Sequence, residues 1–236
     1  MRTLGGCAEM GRRQFFALLR KDLLIELRTR EMLLSMFLFA VLALVVFHYA
    51  FDPKGGADLT PLAGGMLWVV FLFAALLGLN RSFAREKDEG CLDGLLLCPA
   101  DRIIVFLAKA ASNFIFLAII QVLVVPVLML FYVHGGFAGH SGSLVLVVFL
   151  ADVGLSVLGT LLATMAAGTR ARDLLLPVAF LPLVVPLLVA ATSATTDLLS
   201  GGAGIGSLAG RLGFLAGYDA IFLVAAYGTY DYLLTE

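Results

Sequence analysis

Six long apolar stretches constrain this chain more than any motif in it. They run Met32–Phe51, Leu62–Asn80, Ala110–Val133, Leu144–Ala167, Leu174–Thr192 and Leu212–Tyr230, separated by short polar or glycine-rich segments. Each is close to or above the roughly 20 residues a helix needs to cross about 30 Å of hydrocarbon. In lipid the backbone must satisfy its own hydrogen bonds, and these runs are continuous rather than alternating, which selects helices over a β-barrel. The expected fold is all-α, a polytopic membrane protein with six transmembrane helices. The 236 residues are 61% hydrophobic and 14% charged, too apolar for a soluble domain of this size.

Of 16 Lys and Arg, the arrangement places 14 on one side of the membrane: Arg2, Arg12, Arg13, Arg20, Lys21, Arg28, Arg30, Arg81, Arg85, Lys87, Arg102, Lys109, Arg170 and Arg172. Lys54 and Arg211 alone fall on the other. Basic residues near span ends stay in the cytoplasm, so both termini are expected inside a bacterial cytoplasmic (inner) membrane, as an even number of spans requires. Residues 1–31 form the cytoplasmic N-terminus and 32–236 the six-helix domain. Within the former, Arg13–Glu31 carries Phe16, Leu19, Leu23 and Leu27 on one helical face and Arg13, Arg20, Lys21, Arg28 and Glu31 around the other. That pattern predicts an amphipathic interfacial helix on the inner surface of the bilayer. Met1–Gly11 is expected to be mobile. The basic start has no small-residue cleavage site before the first span, so a cleaved signal peptide is not expected.

A net charge of −1 and the lack of a basic patch interleaved with aromatics give no nucleic-acid partner. Cys7, Cys91 and Cys98 all lie on the cytoplasmic side, where thiols stay reduced. A zinc site on Cys91 and Cys98 would need two more ligands, and every His is on the opposite side, so no metal is expected. No G-x-x-x-x-G-K-[ST] occurs, so ATP can enter only through a partner subunit. The glycines of GAGIGSLAG, 202–210, follow no strand and face outward, and with the rest of Ser193–Arg211 they read as a pliable outer loop.

Polar residues inside spans are the candidates for mechanism. Asp152, Ser156 and Thr160 form a stripe on the fourth span that should face protein rather than lipid. Two readings stay open: an interhelical hydrogen bond, to Asn113 or Gln121, or the lining of a cavity or gate. Asp219 is placed near the outer end of the last span, within reach of water or Arg211. Pro177, Pro182 and Pro186 sit within one span, each removing a backbone donor, so this helix is expected to kink, for packing or for flexing. His48, His134 and His140 lie at or beyond outer span ends, a placement that either suits transient contact with heme or a metal or has no function. An ion-coupled secondary carrier built on Asp152 and Asp219 is the alternative to any ATP-driven reading.

The segment Arg81–Arg102, RSFAREKDEGCLDGLLLCPADR, is too charged to lie in lipid and must face water between the second and third spans. A short helix is expected over Glu86–Leu97, stopped by Pro99, with Glu86, Glu89 and Asp93 on one side and Leu92, Leu95 and Leu96 on another. Its acidic groups would be repelled by anionic lipid, so a protein partner accounts for both faces better than the bilayer does.

The stretch Gly65–Phe114, GMLWVVFLFAALLGLNRSFAREKDEGCLDGLLLCPADRIIVFLAKAASNF, resembles the signature region of the cytochrome c maturation protein B (CcmB) family, the membrane subunit of the heme exporter ABC complex. Trp68, Phe83, Glu89, Gly90, Leu92, Leu95, Leu97, Pro99 and Lys109 carry the match, and Leu176–Thr192, LPVAFLPLVVPLLVAAT, resembles the family's fifth helix. The resemblance implies an ABC-2 exporter-like fold in which segment 81–109 couples to an ATPase subunit through Phe83, Glu86, Glu89, Gly90, Leu92 and Leu95. It also implies a homodimer of this subunit, a heme-handling membrane protein and a heme chaperone as partners, and heme as substrate rather than resident cofactor. The chain itself is then not an enzyme. Family members often carry Ser at the position of Cys98 and an acid at that of Asn80, so neither residue takes a role from the likeness.

A membrane-impermeant maleimide is expected to leave Cys91 unmodified in intact cells and to label it once the membrane is opened. Labelling from outside would reverse the topology.

Overall fold

The computed structural model of the protein describes residues 3–51, 59–88, 102–132, 141–167, 172–199 and 205–233. Seven α-helices account for them: α1 (Thr3–Thr29), α2 (Glu31–Phe51), α3 (Thr60–Asp88), α4 (Arg102–Tyr132), α5 (Ser141–Ala167), α6 (Arg172–Leu199) and α7 (Ile205–Leu233). Six are long and apolar enough to cross a membrane, with spans at Glu31–Phe51, Leu62–Arg81, Ile103–Tyr132, Gly142–Ala166, Leu175–Leu199 and Leu208–Thr229. The all-α, six-span expectation holds, with α1 preceding the first span.

Small side chains decide which helices are central. Two-thirds of the span residues in α3 and α5 are buried, against 22% in α2 and α7. Gly64 on α3 lies so close to α6 that a Cβ there would meet the Thr196 hydroxyl and stand 3.1 Å from the Thr192 carbonyl. Gly159 on α5 is likewise covered by Leu79 of α3. Without water to drive apolar surfaces together, such close backbone approach and the dispersion contacts it permits hold membrane helices to one another. The outer helices turn Leu38, Leu42, Val122, Leu130, Val178, Val189, Ile221 and Val224 outward, where lipid is the natural solvent.

Buried polar groups pin the contacts that packing sets. The Trp68 indole N–H donates to the Thr195 hydroxyl at 3.0 Å, joining α3 to α6. The Tyr132 hydroxyl at the end of α4 donates to the Leu44 carbonyl of α2 at 2.6 Å, and its own carbonyl accepts from the Thr60 hydroxyl of α3. A tyrosine buried in an apolar contact needs such an acceptor.

The α1–α2 elbow turns on a single residue. Arg30 has φ 57°, the left-handed conformation that ends helices, and its N–H donates to the Glu26 carbonyl at 2.6 Å. The side chain of Glu26, 4% exposed, then takes the backbone N–H groups of Met32 and Leu33 at 2.9 and 3.0 Å, capping α2 from the preceding helix. One residue thus stops one helix and starts the next.

Several boundaries differ from the sequence reading. Helix α1 begins at Thr3, so all but the first two of the residues expected to be mobile are helical. Its bundle-facing side carries Asp22 and Glu26, while Phe16, Leu24 and Leu27 are exposed, because buried carboxyl groups need donors that only the bundle supplies. The expected outer loop Ser193–Arg211 shrinks: α6 continues to Leu199 and α7 starts at Ile205. Arg211 holds those ends together by pairing with Asp197 and donating to the Ser193 carbonyl at 3.0 Å. Helix α6 runs through all three of its prolines, and α4 through Pro126, which the sequence reading passed over.

Glu26→Ala is expected to lower stability by about 1–3 kcal/mol, since two helix-start N–H groups lose their acceptor. Glu26→Gln should lose clearly less, as an amide carbonyl can still accept. Thermal unfolding of the detergent-solubilised chain reads both.

Candidate functional site

A polar seam runs between α4 and α5, built from the stripe that the sequence placed on the fourth span. Asp152 is 1% exposed, and the Gln121 side-chain amide donates to its Oδ1 at 2.5 Å. Two turns along, the Asn113 amide donates to the Thr160 hydroxyl at 2.9 Å, and the Thr164 hydroxyl donates to the Thr160 carbonyl at 2.7 Å. The Ser156 hydroxyl, buried between them, turns back onto the Val153 carbonyl of its own helix at 3.0 Å. Spacings of three to four residues put these groups on neighbouring turns of each helix, so antiparallel α4 and α5 meet rung by rung. The seam can orient two helices, and an acid in it is a group whose charge would be strongly felt in so apolar a setting.

At one end of α4 the seam continues into α1. Lys109 Nζ lies 3.3 Å from Asp22 Oδ2, the Ser112 hydroxyl donates to the same oxygen at 3.3 Å, and Lys21 Nζ lies 3.5 Å from Oδ1. Close by, Gly11 of α1 is backed by Ile104, whose Cδ1 would stand 2.8 Å from a Cβ there. Arg81, the last residue of the second span, donates to the Glu31 carbonyl at 3.4 Å, so α3 is tied to the α1–α2 elbow at the same end. Sequence reasoning missed Asp22 and Glu26. The available signal was their spacing of four residues on the side of α1 away from Phe16, Leu24 and Leu27.

Asp219 does not sit at the outer end of its span. Because α7 starts at Ile205, Asp219 falls midway along Leu208–Thr229, 7% exposed, and Arg211 is engaged with Asp197 instead. Its Oδ1 has no hydrogen-bond partner among the described residues and would stand 2.6 Å from a Cβ at Gly154. Gly154 lies about 200° around α5 from Asp152 at 100° per residue, so the two acids meet different sides of that helix. The structure therefore does not bring Asp152 and Asp219 together.

Pro177, Pro182 and Pro186 lie along α6, the last two exposed. His48 packs its ring against Phe131, Tyr132 and Tyr49 with centroids 5.1–5.7 Å away, and its Nδ1 is buried without a partner among the described residues. His134 and His140 lie outside the described residues, as do Glu89, Gly90, Leu92, Leu95 and the cysteines 91 and 98. Phe83 and Glu86 lie in the last turns of α3. Of the helix expected over Glu86–Leu97, only 86–88 are described, as the end of α3. No group of three His, Cys, Asp or Glu among the described residues could hold a metal ion.

The family described as CcmB protein matches residues 13–229. A protein named heme exporter protein B from Rhodobacter capsulatus is 32% identical over 175 residues, covering 73% of this chain and 78% of that protein. Proteins of the same name from Pseudomonas aeruginosa and Paracoccus denitrificans are 28% and 32% identical, covering 79% and 73% of this chain and 82% and 78% of their own lengths.

Gln121→Ala is expected to destabilise the bundle by about 1–2 kcal/mol, within the range of interhelical hydrogen bonds in membranes. Asp152→Asn should lose less than half of that, because its amide oxygen still accepts from Gln121. Unfolding midpoints in detergent distinguish the two; equal losses would mean that the carboxyl group, not the hydrogen bond, holds the seam.

Proposed function

This chain belongs to the CcmB family, and from that premise we propose that it is the membrane-spanning subunit of an ABC transporter in cytochrome c biogenesis. It serves heme export or the release of a heme-loaded chaperone, driven by ATP hydrolysis in a partner subunit. It sits in the bacterial inner membrane with both termini in the cytoplasm, the side that its Lys and Arg favour. Two copies assemble with two ATPase subunits, next to a heme-handling membrane protein and a heme chaperone.

The observation that carries this reading is where the polar segment leaves the bundle. Helix α3 continues to Asp88 beyond a span that ends at Arg81, about 10 Å further at 1.5 Å per residue. Helix α4 begins at Arg102, directly after residues 89–101. Both helix ends are held at the same end of the bundle as the elbow, α3 through Arg81 and Glu31 and α4 through Lys109 and Asp22. A push on segment 81–109 from an ATPase reaches α3 and α4 directly, and through Asp22 it reaches α1. In this reading the segment seats in a groove of the ATPase, to which Glu86 and Glu89 offer charge and Phe83, Gly90, Leu92 and Leu95 the less polar contacts.

From there the polar seam gives the movement somewhere to go. Helix α4 is hydrogen-bonded to α5 at Gln121 and Asn113, so displacement of α4 is carried to the central helix rather than absorbed in lipid. Asp152 is a positioning residue in this scheme, and heme is the cargo rather than a resident group.

Charge reversal at Glu86 and Glu89 together is expected to abolish co-purification of the ATPase subunit while leaving membrane insertion and six-span topology unchanged. Retention of the ATPase at wild-type level would remove the coupling role from this segment.

A further inference from the structure

The contact of α5, α6 and α7 contains a combination that the transport reading leaves unused. On α6, Pro182 and Pro186 are four residues apart, so the N–H that would meet the Pro182 carbonyl is missing and the ring of Pro186 crowds that turn. The next carbonyl in the turn, that of Leu183, accepts a hydrogen bond from outside its helix: the Tyr218 hydroxyl of α7 donates to it at 2.8 Å. Tyr218 is held in place by Phe222, one turn on, with ring centroids 4.6 Å apart. Across the contact, α5 presents Gly154, and a Cβ there would run into Leu187 of α6 and stand 2.6 Å from Asp219 Oδ1. Three helices thus meet where one lacks a backbone donor, one lacks a side chain, and one offers a single hydroxyl and an acid oxygen with no partner among the described residues.

From this juxtaposition we propose that the turn 182–186 of α6 is a hinge, held closed by the Tyr218 hydroxyl on the Leu183 carbonyl and by Leu187 packed into the space that Gly154 leaves beside it. A helix interrupted by proline bends at little cost because the hydrogen bond that would resist is already gone. Membrane helices keep such breaks where neighbouring helices pack against them, and here Tyr218 of α7 bonds the carbonyl next to the one that Pro186 leaves without a donor. Release of one neutral hydrogen bond is a small step, so the hinge can open and close without dismantling the bundle. The carboxyl-terminal end of α6 is fixed by Trp68 on Thr195 and by Arg211 on Asp197, so bending concentrates at the proline turn that precedes it.

The test is hydrogen–deuterium exchange, read by mass spectrometry on the full chain in lipid nanodiscs, without any partner or ATP, so that it stands or falls apart from the transporter assignment. Tyr218→Phe is expected to speed exchange of amides 183–190 roughly three- to tenfold, the range that loss of one hydrogen bond gives, with α3 and α5 unchanged. Pro186→Ala restores the missing N–H and should slow the same amides below wild type. Unchanged exchange in 183–190 for Tyr218→Phe overturns the latch. A uniform rise over all helices overturns it too, since the hydroxyl would then be holding the fold rather than a hinge. If Tyr218→Phe does not fold, an absence of slowing in Pro186→Ala overturns the proposal by itself.

Discussion

Lipid offers no hydrogen-bond partner, and that one constraint decides how each helix of this bundle is turned. Asp152 must face protein, so α5 presents its Asp152–Thr160 side to α4 and finds Gln121 and Asn113 there. The rest of α5 is then free to be small, and Gly154 and Gly159 let α6 and α3 approach from other sides. A helix contacted on several sides becomes the centre, and the outer helices are left to cover lipid with leucine and valine. The same constraint works at the bundle's end, where Asp22 and Glu26 turn α1 toward Lys109, Ser112 and the start of α2.

How much of this was legible follows from which forces act locally. The six spans were readable because hydrocarbon demands a run of apolar residues whatever the neighbours are. Their ends were not. Arg102–Lys109 looked like part of a polar connection, yet it is the first two turns of α4, because Asp22 neutralises Lys109 and α1 packs alongside. Ser193–Leu199 looked like loop, yet Trp68 and Arg211, distant in sequence, fasten Thr195 and Asp197 into helix. Misplacing Asp219 had the same origin: a glycine-rich stretch suggested a late helix start, and the acid was assigned a partner already taken by Asp197.

The candidate site was legible in its stripe and not in its connections. Spacing alone put Asp152, Ser156 and Thr160 on one face, and burial was the natural inference for an acid in a span. Nothing local paired Tyr218 with the carbonyl next to Pro182, or Glu26 with the next helix. Those contacts join residues whose patterns are ordinary taken singly, and they exist only once the bundle has closed. Family likeness rested on the segment that leaves the bundle, and the structure adds what lies beneath it: an elbow and two anchored helix ends.

Arg30 is the whole of the linker between α1 and α2, and Glu26 is bonded across it on both sides. A joint of that length has no slack. Torque applied to the amino-terminal helix is delivered to the first span as rotation, in the way a crank turns its shaft, instead of being dissipated in a flexible tether.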